Sequence, residues 1–126
     1  MANFSISDAE WQVMQVVWDR KTTTAADVIT ELSQQTGWSH RTIRTLLARL
    51  VEKTALSTQP EGNRYVYRPL VTRRQCVREA GRSFLDRVFE GDCGELLMHF
   101  ARQGKIAPEQ IDKLRQLLDE QQDAKD

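Results

Sequence analysis

Apolar residues recur at every third or fourth position between Trp38 and Lys53. This spacing predicts a helix with one apolar stripe, formed by Ile43, Leu46, Leu47, Leu50 and Val51. Ser39 stands at the N-cap position, where its hydroxyl can accept a free amide hydrogen of the first turn. The opposite face is basic at its start and short-chained further along, and it carries His40, Arg41, Arg44, Thr45 and Ala48. Such a face suits a helix in a DNA major groove, but an ordinary surface helix with solvated cations has the same pattern.

Two further helices are predicted before this basic helix. Ser7 to Glu10 forms a capping box, and the apolar positions that follow it predict core packing on one helix face, at Trp11, Met14, Val17 and Trp18. The segment from Lys21 to Thr24 is predicted to be a turn or one short strand. A second helix begins at Thr24, faces inward through Val28, Ile29 and Leu32, and ends at Gly37.

After Lys53 the pattern changes from a helical to a two-residue period, which predicts a β-hairpin. Residues 55–59 and 64–68 are the predicted strands, and 60–63 the predicted turn. The hairpin should pack on the helices through Leu56 and one tyrosine, since an isolated hairpin is unstable. Its tip would then direct Asn63 and Arg64 toward a DNA backbone, whereas packing is the favoured role for Tyr65 and Tyr67. Helix, helix, basic helix and hairpin is the order of a winged helix-turn-helix.

The remainder of the chain predicts three amphipathic helices, over 72–90, 94–103 and from Pro108 onward. Their apolar stripes bury too little surface for so small a unit to be secure alone, so a second copy of the chain is the expected partner. The predicted fold class is mainly α with a small β wing, with a DNA-binding domain over 1–71 and a dimerisation domain over 72–126. The predicted dimer-forming residues are Val77, Gly81, Phe84, Val88, Leu96, Phe100, Ile111, Leu114 and Leu118.

Composition narrows the class of protein further. The 126 residues are 40% hydrophobic and 29% charged with no net charge, and no apolar run approaches the length of a membrane span. Six cations face two acids between Trp38 and Arg68, and a local basic patch in a neutral chain fits a regulator. The N-terminal residues lack the features of a signal peptide, so a cytoplasmic protein is expected. Two separated cysteines, Cys76 and Cys93, are expected to be free thiols.

The sequence of the basic helix resembles a known family of repressors. The run from Ser39 to Leu50 reads Ser-x-Arg-Thr-Ile-Arg-Thr-Leu-Leu-x-Arg-Leu, and it follows an Ala-Glu-Trp-x-Val-Met segment at 9–14 and Val17-Trp18. Together with the break at Phe89-x-Gly91, these motifs resemble the penicillinase-repressor family of the BlaI/MecI type and its copper-responsive CopY-type relatives. The resemblance extends over essentially the whole chain.

The resemblance implies a homodimeric repressor that binds a palindromic operator, typically built on TACA/TGTA half-sites. Carried over by position, Arg41, Thr42, Arg44 and Thr45 would meet the operator, and Arg64 would lie on the wing. With the cap, the face and the wing tip included, the candidate DNA-binding residues are Ser39, His40, Arg41, Thr42, Arg44, Thr45, Asn63 and Arg64. No cofactor is implied.

In the β-lactam branch of the family, a signal acting through a sensor protease cleaves an Asn–Phe bond in the C-terminal region. The matching bond here is His99–Phe100, so histidine replaces the family's asparagine. The copper branch carries a paired CxC cluster near its C-terminus, and this chain has no cysteine after Cys93. Thr54 stands where the family usually has glycine, and Thr58 and Gln59 replace basic residues of the first wing strand.

Three other classes of function compete with that of a repressor. An enzyme is disfavoured because the chain has no HExxH, GxSxG or phosphate-binding glycine loop. A metal-responsive repressor of the same fold is the closer alternative, with Cys76, Cys93 and His99 as ligands for a soft metal, although their spacing fits no known cluster. A protein-interaction module explains the amphipathic helices but gives no role to the basic helix and wing.

Overall fold

The computed structural model describes residues 5–125 of the chain. This part contains six helices and one three-stranded antiparallel sheet of order β1-β3-β2. The elements are α1 (Asp8–Arg20), β1 (Thr23–Thr24), α2 (Ala25–Thr36), α3 (His40–Glu52), β2 (Leu56–Glu61), β3 (Arg64–Pro69), α4 (Arg73–Phe89), α5 (Cys93–Arg102) and α6 (Pro108–Lys125). The predicted class, mainly α with a small β wing, is confirmed.

Side-chain caps begin the helices where the sequence predicts them. Ser7 and Glu10 form the complete capping box of α1, and the Thr24 hydroxyl accepts the Asp27 amide hydrogen at the start of α2. At α4, Gln75 N donates to Thr72 Oγ1 at 3.0 Å and Thr72 N donates to Gln75 Oε1 at 2.8 Å. These bonds satisfy amides that the first turn of a helix leaves without intrahelical partners.

The wing differs from its prediction at the turn. Pro60 and Glu61, predicted as turn residues, belong to β2, and the connection is the two residues Gly62 and Asn63. Gly62 has φ 65, which suits a two-residue hairpin connection. Proline is tolerated in β2 because this strand lies at the edge of the sheet, where a missing amide donor costs little.

The core lies entirely in the first part of the chain. All buried apolar side chains of the described residues fall between Val13 and Cys76, and α1, α2 and α3 supply most of them. Trp11 and Trp18 pack edge to face at the border of this core, with ring centroids 5.6 Å apart. Trp18 Nε1 also donates to the carbonyl of Val71 at 2.9 Å, which holds the segment before α4 against α1.

The two tyrosines of the wing have different environments. Tyr67 packs against the core beside buried Leu56, as one of the two tyrosines was predicted to do. Tyr65 is 60% exposed, so the packing role predicted for it is wrong. The two residues point to the same face of the hairpin, but Tyr65 lies two residues closer to its tip than Tyr67 does.

Internal contacts divide the chain into two compact units, Met1–Gly81 and Arg82–Asp126, and α4 continues across the division. In the second unit, α5 begins at the N-cap Asp92, and Gly91 and Gly104 take left-handed conformations at the ends of α4 and α5. None of the helices formed by the described residues combines the length and apolar character needed to cross a bilayer.

Candidate nucleic-acid interface

The start of α3 is fixed by a short hydrogen-bond network. Thr42 N donates to Ser39 Oγ at 3.1 Å, and Ser39 Oγ donates to Thr42 Oγ1 at 3.0 Å. One turn later, Thr45 Oγ1 donates to the carbonyl of Arg41 at 3.0 Å. Three of the predicted DNA-binding residues therefore support the first two turns of the helix as well as lying on its surface.

The two faces of α3 separate as the pattern predicts. Ile43, Leu46, Leu47 and Leu50 are buried in the core. The opposite face is exposed along its length, and we define this outer face of α3 as His40, Arg41, Arg44, Thr45 and Ala48. Within residues 5–125, neither Arg41 nor Arg44 forms an ion pair with a carboxylate. Their guanidinium groups thus retain all their donors for an external acceptor.

The C-terminal end of α3 is tied to the N-terminal end of α1. Lys53 Nζ lies 2.6 Å from Glu10 Oε1 and 2.6 Å from the carbonyl oxygen of Ser5. The Glu10 side chain is only 2% exposed, whereas the Lys53 side chain is 34% exposed. Burial favours the neutral carboxylic acid, but hydrogen bonds from Lys53 and Ser7 outweigh it, so the pKa of Glu10 lies below its usual 4.5.

Sequence reasoning found Glu10 as a cap but missed this contact. The partners are 43 residues apart, and no periodic or local signal connects them. The ion pair joins the ends of two helices, so it fixes how α3 lies on α1. We count Glu10 and Lys53 as positioning residues for the outer face of α3, since neither belongs to that face.

Thr54 follows α3 in the left-handed region, with φ 61. The amide of the next residue, Ala55, donates to the carbonyl of Leu50 at 2.9 Å, and the chain turns here into β2. A β-branched residue is strained in this conformation, which glycine adopts freely. Glycine, which the resemblance leads one to expect at this position, would adopt the conformation without this strain.

The tip of the wing is exposed and basic. Asn63 is in the hairpin connection and Arg64 begins β3, and both are exposed. Arg68 Nη2 pairs with Glu61 Oε2 at 3.0 Å, while Arg64 forms no ion pair among the described residues. Arg64 is therefore the wing cation that remains available. The pairing of β1 with β3, which sequence analysis left open, joins Thr24 to Val66 and braces the wing against the start of α2.

The apolar positions predicted for dimerisation lie largely in solvent. In α4, Val77, Phe84 and Val88 are exposed, and the Gly81 Cα faces open space, with no heavy atom within 4 Å of an added Cβ. Phe100 and Leu118 are exposed as well. Leu96, Ile111 and Leu114 are half-buried. Among residues 77–124 none is fully buried.

The candidate cleavage bond lies inside a helix. His99 and Phe100 are exposed residues of α5, and their rings are in edge contact, with centroids 5.2 Å apart. The His99 ring is also tilted against Phe89 at 6.0 Å. A protease needs an extended substrate, so cleavage here requires local opening of α5.

The cysteines have unlike environments. Cys76 is buried, and burial raises the pKa of its thiol, whereas Cys93 is exposed at the start of α5. No group of three or more His, Cys, Asp and Glu side chains suited to a metal ion occurs in the part of the chain that the structure describes. The proposed Cys76, Cys93 and His99 ligand set therefore has no assembled counterpart there.

Comparison with known proteins identifies relatives along nearly the whole chain. The family profile described as Penicillinase repressor matches residues 6–120. The chain is 36% identical over 120 residues to the penicillinase repressor of Bacillus licheniformis, covering 95% of this chain and 94% of that one. It is 30% identical over 115 residues to the methicillin resistance regulatory protein MecI of Staphylococcus aureus (strain N315), with 91% and 94% covered.

A solved structure resembles just over half of the chain. The Bacillus licheniformis BlaI monomeric form, determined in solution in complex with the blaP half-operator, superposes with a TM-score of 0.51 and 43% sequence identity. The match covers 56% of this chain and 85% of that chain. The chain is thus similar over this part of its length to a protein whose structure was solved on DNA.

Proposed function

This chain belongs to the penicillinase repressor family, which comprises DNA-binding transcriptional repressors and not enzymes, and we propose that it is a homodimeric repressor of a palindromic operator. One observation supports the DNA-binding role most directly. The outer face of α3 is exposed and carries two arginines without carboxylate partners among residues 5–125, in a chain that is similar to BlaI, a protein solved with its half-operator. An exposed, unpaired basic helix is what major-groove recognition requires.

The proposed roles of the basic residues differ with their positions. Arg41 and Arg44 lie on the helix that would enter the groove, where a guanidinium can donate twice to a guanine edge. Arg64 and Asn63 lie at the wing tip and would hold a phosphate, which positions the protein without reading sequence. Ser39, His40, Thr42 and Thr45 complete the surface at the start of the helix.

The exposed apolar side chains of α4, α5 and α6 support the proposal that the chain dimerises through residues 72–126. Exposed Phe84, Val88 and Phe100 are costly in a monomer, and a second copy that covers them would remove this cost. Two copies related by a two-fold axis would present two α3 helices to the two halves of a palindromic site. Residues 1–71 would then serve DNA binding and residues 72–126 dimerisation.

Release by proteolysis is the proposed switch. Cutting at His99–Phe100 would separate α6, with Ile111, Leu114 and Leu118, from the rest of the dimerisation region. The two halves of the dimer would lose their mutual high effective concentration on the operator, so each would dissociate without any change in α3. A sensor protease is the partner that this switch requires. The mass of the protein from induced cells tests the switch, because an intact chain that has left its operator would exclude proteolysis.

The DNA-binding role is tested with a duplex that contains inverted TACA and TGTA half-sites. Arg44→Ala should weaken binding to this duplex by about 1–3 kcal/mol per half-site and relax its preference over random DNA. Arg64→Ala should weaken binding to both duplexes alike and lower the salt dependence of the affinity. Arg102→Ala, at an exposed position in α5, is the matched control and should change neither. Equal losses for Arg44→Ala on the half-site duplex and on random DNA would contradict the assignment of base reading to Arg44.

A further inference from the structure

The hydroxyl group of Thr45 is hydrogen-bonded to the backbone of its own helix. Thr45 Oγ1 donates its hydrogen to the carbonyl oxygen of Arg41, 3.0 Å away and one turn earlier. A threonine hydroxyl has one hydrogen to donate. Thr45 therefore has no donor left for a base edge unless this bond breaks. Bonds of this i to i−4 kind are a known option for a threonine hydroxyl within a helix.

Thr42, on the same helix, shows the contrast. Its hydroxyl oxygen accepts a hydrogen bond from Ser39 Oγ at 3.0 Å, so its own hydrogen is not used in that contact. Both threonines are exposed, and both were predicted to face the operator. Their hydroxyls differ in what they can offer, because Thr42 keeps a donor and Thr45 does not.

The side chains around Thr45 form a small apolar area that lies between two arginines. Ala48 lies three residues further along, on the same exposed face, and its side chain is a single methyl group. Arg41 and Arg44 flank this small apolar area, and both are free of internal ion pairs within residues 5–125. Short side chains here let the helix axis approach the bases while the longer arginines reach to either side.

We propose that Thr45 is a specificity-determining residue that recognises a thymine through its methyl group, with Ala48 beside it. Thymine is the one base of DNA that presents a methyl group in the major groove, and threonine and alanine methyl groups are suitable partners for it. This inference rests on the proposed function, since it assumes that the outer face of α3 meets DNA. It specifies one contact of that interface, between the methyl groups of Thr45 and a thymine.

The test combines two variants with modified DNA. Thr45→Val keeps a methyl group and removes the hydroxyl, whereas Thr45→Ser keeps the hydroxyl and removes the methyl group. The half-site duplex is prepared with each thymine replaced in turn by deoxyuridine, which removes only the base methyl group. Affinities are measured by fluorescence anisotropy for the full-length wild type and both variants on every duplex.

Thr45→Val should bind the unmodified duplex within about twofold of the wild type. Thr45→Ser should bind about fourfold less tightly per half-site, the effect of about one buried methyl group. One deoxyuridine position should lower wild-type affinity by a similar factor and should have no further effect on Thr45→Ser. Thr30→Ser, at an exposed position within α2, controls for the general effect of removing a methyl group from a helix and should leave affinity unchanged.

Two results would overturn the proposal. One is a large loss for Thr45→Val with little loss for Thr45→Ser, which would assign recognition to the hydroxyl. The other is that no deoxyuridine replacement changes the affinity of the wild type. A replacement that lowers the affinities of the wild type and of Thr45→Ser by the same factor would count equally against the proposal. A wild type that fails to prefer the half-site duplex over random DNA would instead contradict the proposed function itself, and the unmodified duplex reports that outcome separately.

Discussion

The two units of this chain bury their apolar residues to very different extents. The first unit has a continuous core of valine, leucine, isoleucine and methionine side chains, from Val13 to Cys76. The second has helices of equal regularity, yet its large apolar side chains remain exposed or half-buried. Regular amphipathic helices are thus not sufficient for a core, and the difference predicts that the first unit is stable by itself whereas the second depends on a partner.

The largest expected effect is on the proposed dimer. Phe84→Asp or Val88→Asp places a charge on the exposed apolar face of α4, where an interface with a second copy would have to desolvate it. Sedimentation velocity at micromolar concentration should show a dimer for the wild type and a monomer for each variant. Operator affinity should fall about 10²–10⁴-fold, because the two half-sites are then bound independently.

Ser83→Asp is the matched control, since it adds the same charge to α4 at an exposed polar position. It should leave both the oligomeric state and the affinity unchanged. A wild type that sediments as a monomer at micromolar concentration would contradict dimerisation and leave the exposed apolar side chains without this explanation.

Matched leucine substitutions compare the units directly. Leu47→Ala, in α3, empties space in the core and should lower the free energy of unfolding by about 2–5 kcal/mol. Leu117→Ala, in α6, removes a side chain that is 57% exposed within one chain. Urea denaturation should therefore show a loss for Leu47→Ala that is the same at all protein concentrations. The loss for Leu117→Ala should be small and should change with protein concentration if a second copy covers this residue.

The ion pair of Glu10 and Lys53 sharpens the comparison, since it stabilises only the first unit. Lys53→Met leaves a buried carboxylate without its cation. The free energy of unfolding should fall at pH 7 by an amount near the lower end of about 1.5–3 kcal/mol, because Lys53 is partly solvated. The folded-state pKa of Glu10 is lowered, so its contribution to wild-type stability is present above pH 4.5 and is lost as pH falls through the folded value.

In Lys53→Met, burial remains but the cation is gone, so protonation of Glu10 should relieve the destabilisation. The difference in unfolding free energy between wild type and Lys53→Met should therefore narrow as the pH falls from neutral toward the lowered pKa of Glu10 in the wild type. Glu10→Gln should show a shallower acid dependence than the wild type. A constant difference across this range would mean that the carboxylate is not what Lys53 stabilises.

Local signals in the sequence were enough to predict every helix and the hairpin. Caps such as Ser7, Thr24, Ser39 and Thr72 act within three residues, and apolar periodicity assigns the face that is buried in the first unit. The same periodicity in α4 to α6 indicated an apolar face that must be buried. Periodicity cannot tell whether that face packs against the same chain or against a second copy.

What the sequence left open depends on residues far apart along the chain. The contacts of Lys53 with Glu10 and of Trp18 with Val71 span 43 and 53 residues, and β1 pairs with a strand more than 40 residues later. The turn of the wing was misassigned because Pro60 usually signals a turn, whereas an edge strand accepts it. Of the candidate interface, the positions on α3 followed from pattern, and the commitment of the Thr45 hydroxyl required the structure.

The residue after α3 gives a smaller effect, confined to the first unit. Thr54→Gly relieves the left-handed strain of a β-branched residue but makes the unfolded chain more flexible, so a net gain of about 0.5–1 kcal/mol is expected. Gly37→Ala places a side chain at φ 77 and should cost about 1 kcal/mol. Thermal unfolding should shift in opposite directions for the two variants, independently of protein concentration. A loss of stability in Thr54→Gly would mean that its hydroxyl bond to the Lys53 carbonyl outweighs the strain.

An effect as small as that at Thr54 is expected at Gly81, where the first unit ends within α4. A glycine inside a helix costs about 0.5–1 kcal/mol relative to alanine, and nothing within 4 Å in this chain requires its small size. Gly81→Ala should therefore stabilise α4 by about that amount in the monomeric background of Phe84→Asp. In the wild-type background, a close approach of two copies at Gly81 would make the same substitution weaken the dimer, which sedimentation equilibrium would detect as a higher dissociation constant. Stabilisation of equal size in both backgrounds would show that Gly81 does not lie where the two copies approach closely.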